Sequence, residues 1–245
     1  MYAFACFEHV FRFQFNFVWR LLKQVKIFKM TSPIKKQHVT FFYSPGACSF
    51  VPYTAICEAG IEVELVLAKV GQMDEEFSKM NPKRRIPVVA IGDFVVTEMA
   101  AVLTAVASLA PEHHFLGKTT DETIRVYEWL NYLSTVAHNQ AMAQIWRTER
   151  FTDDISTYPA IKAKGRKVIQ EVYAYIEERL GIRGGKEYIV GDSFTVADPF
   201  LVVVYLWSRK LGFDMQAKFP IFTAYAEGQL SKAPFHQSAQ VHGFR

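Results

Sequence analysis

The stretch VTFFYSPGACSFVPYTAICEAG, Val39 to Gly60, decides the fold of the first half of the chain. Its first five residues are β-branched and aromatic, and the Ser-Pro-Gly turn behind them predicts that a strand ends at Tyr43. Apolar side chains then recur at helical spacing, and Gly60 suits the left-handed residue that follows a helix. The stretch therefore predicts a strand, a tight turn, and a helix that begins near Cys48.

The residues after this helix complete a small α/β domain. A second strand close behind the helix gives a parallel βαβ unit, and Gly92-Asp93 between two apolar runs predicts a β-hairpin. The predicted elements are a strand over 62–68, an irregular segment, strands over 88–91 and 94–97, and a helix over 98–109. Pro111 ends this helix, because a proline disfavours the helical conformation of the residue before it. We expect the domain to span residues 38–112.

The second half of the chain has long helical patterns in place of strand signals, so residues 119–245 are expected to form an all-helical domain. The predicted helices cover residues 122–138, 160–180, 196–211 and 221–230. Thr195 is predicted to cap the third of these helices, with Asp198 three residues on as an acidic capping box. The predicted fold class is therefore α/β plus all-α.

Charge and cysteine content exclude several classes of function. The chain has 28 Lys and Arg against 24 Asp and Glu, but residues 1–40 hold seven of the bases and one acid, Glu8. The remainder is slightly acidic, so it lacks the basic surface of a nucleic-acid-binding protein. Three cysteines without CxxC or Cys/His spacing indicate neither a disulfide framework nor a metal site. A reducing, cytoplasmic location is expected.

The N-terminal extension, residues 1–37, is expected to be disordered or not native, and its residues 1–29 have three open interpretations. They can be an amphipathic mitochondrial presequence, an interfacial anchor, or an upstream extension that is not normally made, with Met30 as the true start. Charged residues interrupt each of their apolar runs well short of a membrane span. We favour the upstream extension or a disordered tail, because the segment is poor in serine for a presequence and MTSPIKKQHV is typical of the start of a soluble protein.

Cys48 is the first candidate functional residue. A thiol at a helix N-terminus lies near free backbone N–H groups and the positive end of the helix dipole, which both favour the thiolate. The alternative is a structural residue, since free cysteine is among the most buried residue types. Cys57, on the apolar side of the same helix, is expected to be inert. Position alone leaves both interpretations of Cys48 open.

From about Val39 onward the chain resembles the cytosolic glutathione transferases, most closely the beta class. YSPGACS is similar to the beta-class turn with its cysteine, NPKRRIPVV to the family's Asn-Pro-Lys-x-x-x-Pro segment, and FVVTE to the strand before the glutathione-binding acid. EWLNYLSTVAH resembles the family's first long helix, and SFTVAD its capping box. Such collinear motifs, over about four-fifths of the chain, are hard to obtain by chance.

The resemblance implies a thioredoxin-like domain followed by an all-helical domain, with glutathione as co-substrate bound where they meet. It implies a cis peptide bond before Pro87, so that the backbone of Ile86 bonds the cysteinyl part of glutathione. Glu98 is implied to hold the α-amino group of the γ-glutamyl residue. Met99 stands where Ser or Gly is usual and offers only its backbone N–H.

The helical domain is implied to supply further residues. His138 is implied to face Cys48 as a thiol-directed hydrogen-bond partner, which makes these two the predicted catalytic pair. Asn131, two turns earlier, matches a glutathione-site position, whereas Asn139 stands where a lysine is common. Arg85, from the first domain, replaces a common glutamine and can add positive charge near the glutathione carboxylates.

Ser49 is expected to help hold the γ-glutamyl end, and the spacing of the turn favours Ser49 and Cys48 over Tyr43 and Ser44 as the thiol-activating residues. A pocket for the second substrate is implied against the helical domain. Its candidate wall residues, which plain core packing would equally explain, are Phe50, Tyr53, Met142 and Trp146.

The resemblance implies a homodimeric enzyme. Hydrogen-bond donors from Cys48, Ser49 and His138 are implied to stabilise the thiolate of glutathione, which then attacks a small apolar electrophile. Cys48 also permits attack on a disulfide, which makes thiol transfer a second possible chemistry. The alternative of another class is a non-catalytic binding or assembly module of the same fold, favoured by the departures at Met99 and Asn139. Neither a metal nor a transmembrane segment is implied.

Overall fold

The strands of the described part of the chain form one four-stranded sheet. In the computed structural model, which describes residues 38–244, the strands are β1 (Val39–Tyr43), β2 (Glu64–Leu67), β3 (Val88–Ile91) and β4 (Phe94–Thr97). Their order across the sheet is β2-β1-β3-β4. Because β1 pairs parallel with β2, and β3 with β4 antiparallel, the predicted βαβ unit and hairpin are confirmed.

Three helices belong to the same domain: α1 (Phe50–Ala59), α2 (Glu75–Met80) and α3 (Met99–Leu109). α1 ends at Gly60, whose φ of 62° is the predicted left-handed conformation. α2 lies in the segment that the sequence predicts as irregular. The Asp74 carboxylate caps it by accepting the Phe77 N–H at 2.7 Å. A helix of six residues is too short to show a hydrophobic period, so only its cap could have indicated it.

The second half of the described chain is helical, as predicted. Its elements are α4 (Thr120–Tyr132), a π-helical continuation (Leu133–Met142), α5 (Ala143–Trp146), α6 (Tyr158–Ile182), α7 (Ala197–Leu211), α8 (Met215–Lys218), α9 (Pro220–Leu230) and α10 (Ala233–Val241). Short 3₁₀ turns lie at Pro111–His113, Thr148–Arg150 and Ile155–Thr157. The sequence does not predict α10, which is short and mixed in polarity.

The start of α7 differs in detail from its predicted capping box. The helix begins at Ala197, so Thr195 lies before the cap position. The buried Asp198 carboxylate nevertheless accepts the Thr195 N–H at 2.7 Å and its hydroxyl at 3.1 Å. It also accepts the Ile189 N–H at 2.9 Å and the Tyr225 hydroxyl at 2.5 Å. Through these hydrogen bonds, Asp198 links three segments of the helical domain and also lies at the start of α7.

The sheet and the helices share one hydrophobic core. Phe41 of β1, Phe50 of α1 and Phe200 of α7 are all fully buried in it. α7 is buried from Ala197 to Ser208, so it is the central helix, and α1 packs directly against it. The turn before α1 is thereby brought against the helical domain.

Within residues 38–244, no helix combines the length and the hydropathy that a membrane span requires. The extension of residues 1–37, with its three interpretations, lies outside the described residues.

Candidate active site

The turn before α1 is held by contacts from the helical domain. Gly46 has a φ of 69°, a left-handed conformation that favours glycine. A Cβ there would lie 2.7 Å from Lys210 Nζ, the mobile end of a flexible side chain, so conformation decides this position. The Gly46 carbonyl accepts the Trp207 Nε1–H at 3.0 Å, and the Gly46 N–H donates to the His242 carbonyl at 2.7 Å. The helical domain therefore sets the position of Cys48, two residues further on.

The Cys48 thiol is 4% exposed, and its Sγ donates to the Ile86 carbonyl at 3.6 Å. The peptide bond between Ile86 and Pro87 is cis, which confirms that prediction. Burial raises the pKa of the Cys48 thiol to about 12, and a backbone hydrogen bond opposes it in part. The helix start and burial act in opposite directions on the Cys48 thiol, and the loss of water around the sulfur outweighs the helix end, so the thiol is neutral in this state.

Cys48 lies on the wall of a cavity of about 390 Å³ to which both domains contribute. The first domain contributes the turn residues 44–48, Val70 and residues 84–86. The helical domain contributes His138, Asn139, Met142, Ala143, Trp146, Arg147, Arg150, Trp207 and Lys210. Of the predicted site residues, the cavity thus brings together Cys48, Arg85, Ile86 and His138.

His138 lies in the π-helical segment, with its ring stacked on Trp207 at 5.1 Å between centroids. Burial lowers the pKa of His138 to about 4, and the charges of Arg150 and Arg85 lower it further. The imidazole is therefore neutral at pH 7. The two members of the predicted catalytic pair share the cavity wall, but the thiol bonds Ile86 rather than the imidazole.

Ser49 and Asn131 do not line this cavity. Ser49 is fully buried, and its hydroxyl bonds His242 Nε2 at 2.9 Å and accepts the Ser44 N–H at 3.2 Å. Asn131 is exposed, and its amide donates to the Tyr127 carbonyl at 2.9 Å. The geometry speaks against a ligand role for Ser49, because its polar atom is already used inside the fold.

Glu98, the predicted partner of the α-amino group, stands at the start of α3 and outside the lining of the cavity. Its φ of 73° is rare for a residue other than glycine and is held by the surrounding structure. Its carboxylate is largely exposed and pairs with Lys83 Nζ at 2.6 Å. Met99 behind it is buried. The carboxylate therefore already faces a cation, the kind of group that it is predicted to bind.

The candidates for the second-substrate pocket divide into two pairs. Met142 and Trp146 line the cavity. Phe50 and Tyr53 lie in the core instead, Phe50 fully buried and Tyr53 stacked on Phe41 at 5.9 Å between centroids. Plain core packing is therefore the correct interpretation of this second pair, because α1 turns that face inward.

Sequence reasoning missed most of the positive charge of the cavity. Within residues 38–244, its lining includes Arg84, Arg85, Arg147, Arg150 and Lys210 and no carboxylate. Arg147 and Arg150 are three residues apart in RTER, a spacing that puts both on one side of a helical turn. That spacing was the available signal. In the part of the chain described by the structure, no group of three His, Cys, Asp or Glu residues is placed to hold a metal ion.

Comparison with known proteins matches both halves of the chain to one family. The model described as "Glutathione S-transferase, N-terminal domain" matches residues 38–107, and "Glutathione S-transferase, C-terminal domain" matches residues 145–231. Glutathione S-transferase GstA of Escherichia coli O157:H7 is 27% identical over 183 residues, which cover 71% of this chain and 85% of that protein.

Solved structures agree with this match. A glutathione transferase homologue from Sulfitobacter, solved with bound glutathione, is 25% identical, with a TM-score of 0.76 over 85% of this chain and 99% of that one. A beta-class glutathione S-transferase from Sphingomonas chungbukensis is 24% identical, with a TM-score of 0.70 over 84% of this chain and 100% of that one. The second likeness shows a shared fold.

Proposed function

The chain belongs to the glutathione S-transferase family, and on that premise we propose that it binds glutathione beside Cys48 and joins the glutathione sulfur to the carbon of a small electrophile. The observation that carries the proposal is the cavity that unites Cys48, Ile86 and His138 from three separate motifs. The cysteine in the first turn favours a beta-like enzyme within the family.

The cavity and its border suit the functional groups of glutathione. The backbone of Ile86 lies on the wall, where an extended peptide can pair with it as an added strand does. Arg85 brings a guanidinium, which binds carboxylates in a bidentate manner. Glu98 presents an exposed carboxylate for an ammonium group. These three residues supply complementary groups for the backbone and for both charge types of the tripeptide.

Cys48 and His138 fit the role of hydrogen-bond donors to a thiolate. In conjugation, the glutathione sulfur bonds to an electrophilic carbon, the leaving group departs, and the thiol proton passes to solvent. A neutral Cys48 thiol and a neutral imidazole can each donate to an anionic sulfur, and the surrounding cations favour that charge. Met142 and Trp146 offer an apolar surface to the body of the electrophile.

Thiol transfer through Cys48 is the second candidate. The thiol lies on the cavity wall, where a bound disulfide can reach it. Its raised pKa disfavours the thiolate that such an attack requires. We therefore place conjugation first.

Isothermal titration of glutathione into the full chain and its variants tests the proposal, with conjugation of 1-chloro-2,4-dinitrobenzene as the activity assay. Glu98→Ala is expected to weaken binding roughly tenfold, since it removes a charge-assisted contact. Glu112→Ala, which removes an exposed carboxylate outside the cavity lining, is the matched control. Cys48→Ala is expected to retain measurable conjugation and to abolish exchange with glutathionyl mixed disulfides.

Two outcomes contradict this function. Undetectable glutathione binding removes it altogether. Binding without turnover of any electrophile favours the non-catalytic module instead.

We also propose that the enzyme is a cytoplasmic homodimer, as the family resemblance implies. Phe94 of the edge strand β4 and Ile124 of α4 are exposed apolar side chains that a subunit contact could cover. Sedimentation equilibrium tests the assembly, and a monomer at micromolar concentration contradicts it.

A further inference from the structure

The cavity holds more positive charge than glutathione requires. Glutathione carries two carboxylates and one ammonium group at neutral pH, and therefore a single net negative charge. Five cationic side chains line the cavity, and no lining residue in the described chain carries a carboxylate. Arg84 and Arg147 are partly engaged, since one guanidinium N–H of each donates to a carbonyl, that of Met73 at 2.8 Å and that of Trp146 at 3.0 Å. Neither contact neutralises charge, so the lining leaves positive charge unbalanced.

The unbalanced positive charge is concentrated on the part of the cavity wall that the helical domain contributes. Arg147 follows Trp146, and Arg150 ends the 3₁₀ turn behind it. Arg85, Arg147 and Arg150 all line this one cavity. Partial burial lowers the pKa of Arg150, and the charges of Arg85 and Arg147 lower it further. The adjacent Glu149 opposes this in part, but it is exposed and does not line the cavity.

None of these three arginines belongs to an ion pair within residues 38–244. Like charges held together without an acid repel one another, and an anion bound among them relieves that repulsion. Arg85 lies beside the glutathione-binding segment, which leaves Arg147 and Arg150 for a second anionic group.

The apolar part of the same wall lies next to these charges. Trp146 immediately precedes Arg147 and packs edge-on against Trp207 at 5.7 Å between centroids. Met142 lies one helical turn earlier and also lines the cavity. A molecule with an apolar ring and one acidic substituent would therefore meet an aromatic surface and two guanidinium groups together.

We propose that the electrophile accepted by this enzyme carries a carboxylate, bound by Arg147 and Arg150, while its apolar part packs on Trp146 and Met142. This inference rests on the proposed transferase function and narrows its substrate class. It replaces the expectation of a purely apolar electrophile with that of an acidic one.

The test uses 4-chloro-3,5-dinitrobenzoate and its neutral methyl ester as paired substrates. In both, the glutathione sulfur attacks the ring carbon that bears chlorine, and a C–S bond forms. The C–Cl bond breaks, chloride leaves with the bonding electrons, and the thiol proton passes to solvent. The carboxylate takes no part in the chemistry, so any preference for the acid, after division by the uncatalysed rates, reports its binding.

After division by the uncatalysed rates, the kcat/KM of the wild-type enzyme is expected to be roughly tenfold higher for the acid than for the ester. Arg147→Ala and Arg150→Ala are each expected to lose roughly tenfold on the acid and less than about twofold on the ester. Arg125→Ala is the matched control, since Arg125 is exposed, pairs with Glu128 at 2.6 Å and lies outside the cavity lining. Arg150→Lys should restore part of the loss, because the charge returns without the guanidinium fork.

Equilibrium titration of the two glutathione conjugates, acid and ester, repeats the comparison without turnover. The inference is overturned if the wild-type enzyme binds the acid and ester conjugates with equal affinity. It is also overturned if the arginine variants lose the same affinity for both conjugates. If glutathione binds and the ester reacts without any preference for the acid, the inference fails and the transferase function stands. If neither binding nor turnover occurs, both fail.

Discussion

The charged side chains of the cavity and the polar side chains of the interior follow opposite rules. On the cavity wall, Arg85, Arg147 and Arg150 lie together, and none of the described lining residues carries a carboxylate. In the interior, Ser49 is bonded to His242, and Asp198 accepts four hydrogen bonds. Ser49 and Asp198 serve the fold because their polar atoms are satisfied, whereas the three arginines belong to no ion pair within residues 38–244 and can receive an anionic ligand.

The largest effect is expected at the Cys48 thiol, which belongs to the cavity but is buried like an interior group. At pH 8, iodoacetamide should alkylate it roughly a thousandfold more slowly than in the unfolded chain, because its raised pKa reduces the thiolate fraction by about that factor. Peptide mapping over time measures the rate. Cys57, whose pKa burial raises to about 11, should be slowed less.

Alkylation of Cys48 at the rate of the unfolded chain would contradict a neutral thiol. It would place Cys48 with the reactive groups of the cavity and favour thiol transfer.

The next effect is expected in the interior, at Asp198. Asp198→Ala should lower the free energy of unfolding by about 3–4 kcal/mol, because two N–H groups and two hydroxyls lose their buried acceptor. Urea denaturation measures the change. Asp192→Ala, which removes an exposed carboxylate paired with Lys186, is the control and should change stability little. Equal effects of both variants would remove the distinction between interior and surface acids.

A smaller effect is expected from His242 on the pH dependence of stability. Burial lowers the pKa of His242 to about 4, whereas an unfolded histidine titrates near 6.5. The unfolded chain therefore binds a proton first, and stability should fall by about 2–3 kcal/mol from this residue as the pH drops from 7 to 4.5. Urea denaturation at several pH values should show a weaker dependence in His242→Phe. An unchanged dependence would show that His242 binds its proton equally well in the folded and unfolded states, which contradicts the lowered pKa.

The smallest effect is expected at Ser49. Ser49→Ala should lower stability by about 1 kcal/mol through the lost contact with His242, while the affinity for glutathione stays within about twofold. Denaturation and titration on the same preparation measure both quantities. A large loss of affinity with unchanged stability would return Ser49 to the glutathione site.

Local patterns were enough to predict the strands, the left-handed Gly60 and the long helices, because each depends on neighbours in sequence. The resemblance added the cis bond before Pro87. The sequence does not reveal that Ser49 bonds His242, since 193 residues separate them and only the packing of α10 on α1 brings them together.

The candidate site was predictable on one side only. The Cys48 turn and Ile86 lie in motifs that can be identified from the sequence. The helical wall depends on how the end of the π-helical segment and the 3₁₀ turn after α5 are oriented, which hydrophobic periodicity does not specify. For the same reason the sequence left the state of the Cys48 thiol open, because its burial depends on residues from both domains.

Trp207 lies at the contact between the two domains, so its intrinsic fluorescence reports on that contact. Its indole N–H is bonded to Gly46 in the turn before Cys48, while its ring stacks on His138 and meets Trp146 edge-on. A change in the environment of that turn therefore changes the emission of an intrinsic fluorophore, with no label attached. The residue that holds the turn in place is also a built-in optical reporter of the cavity beside it.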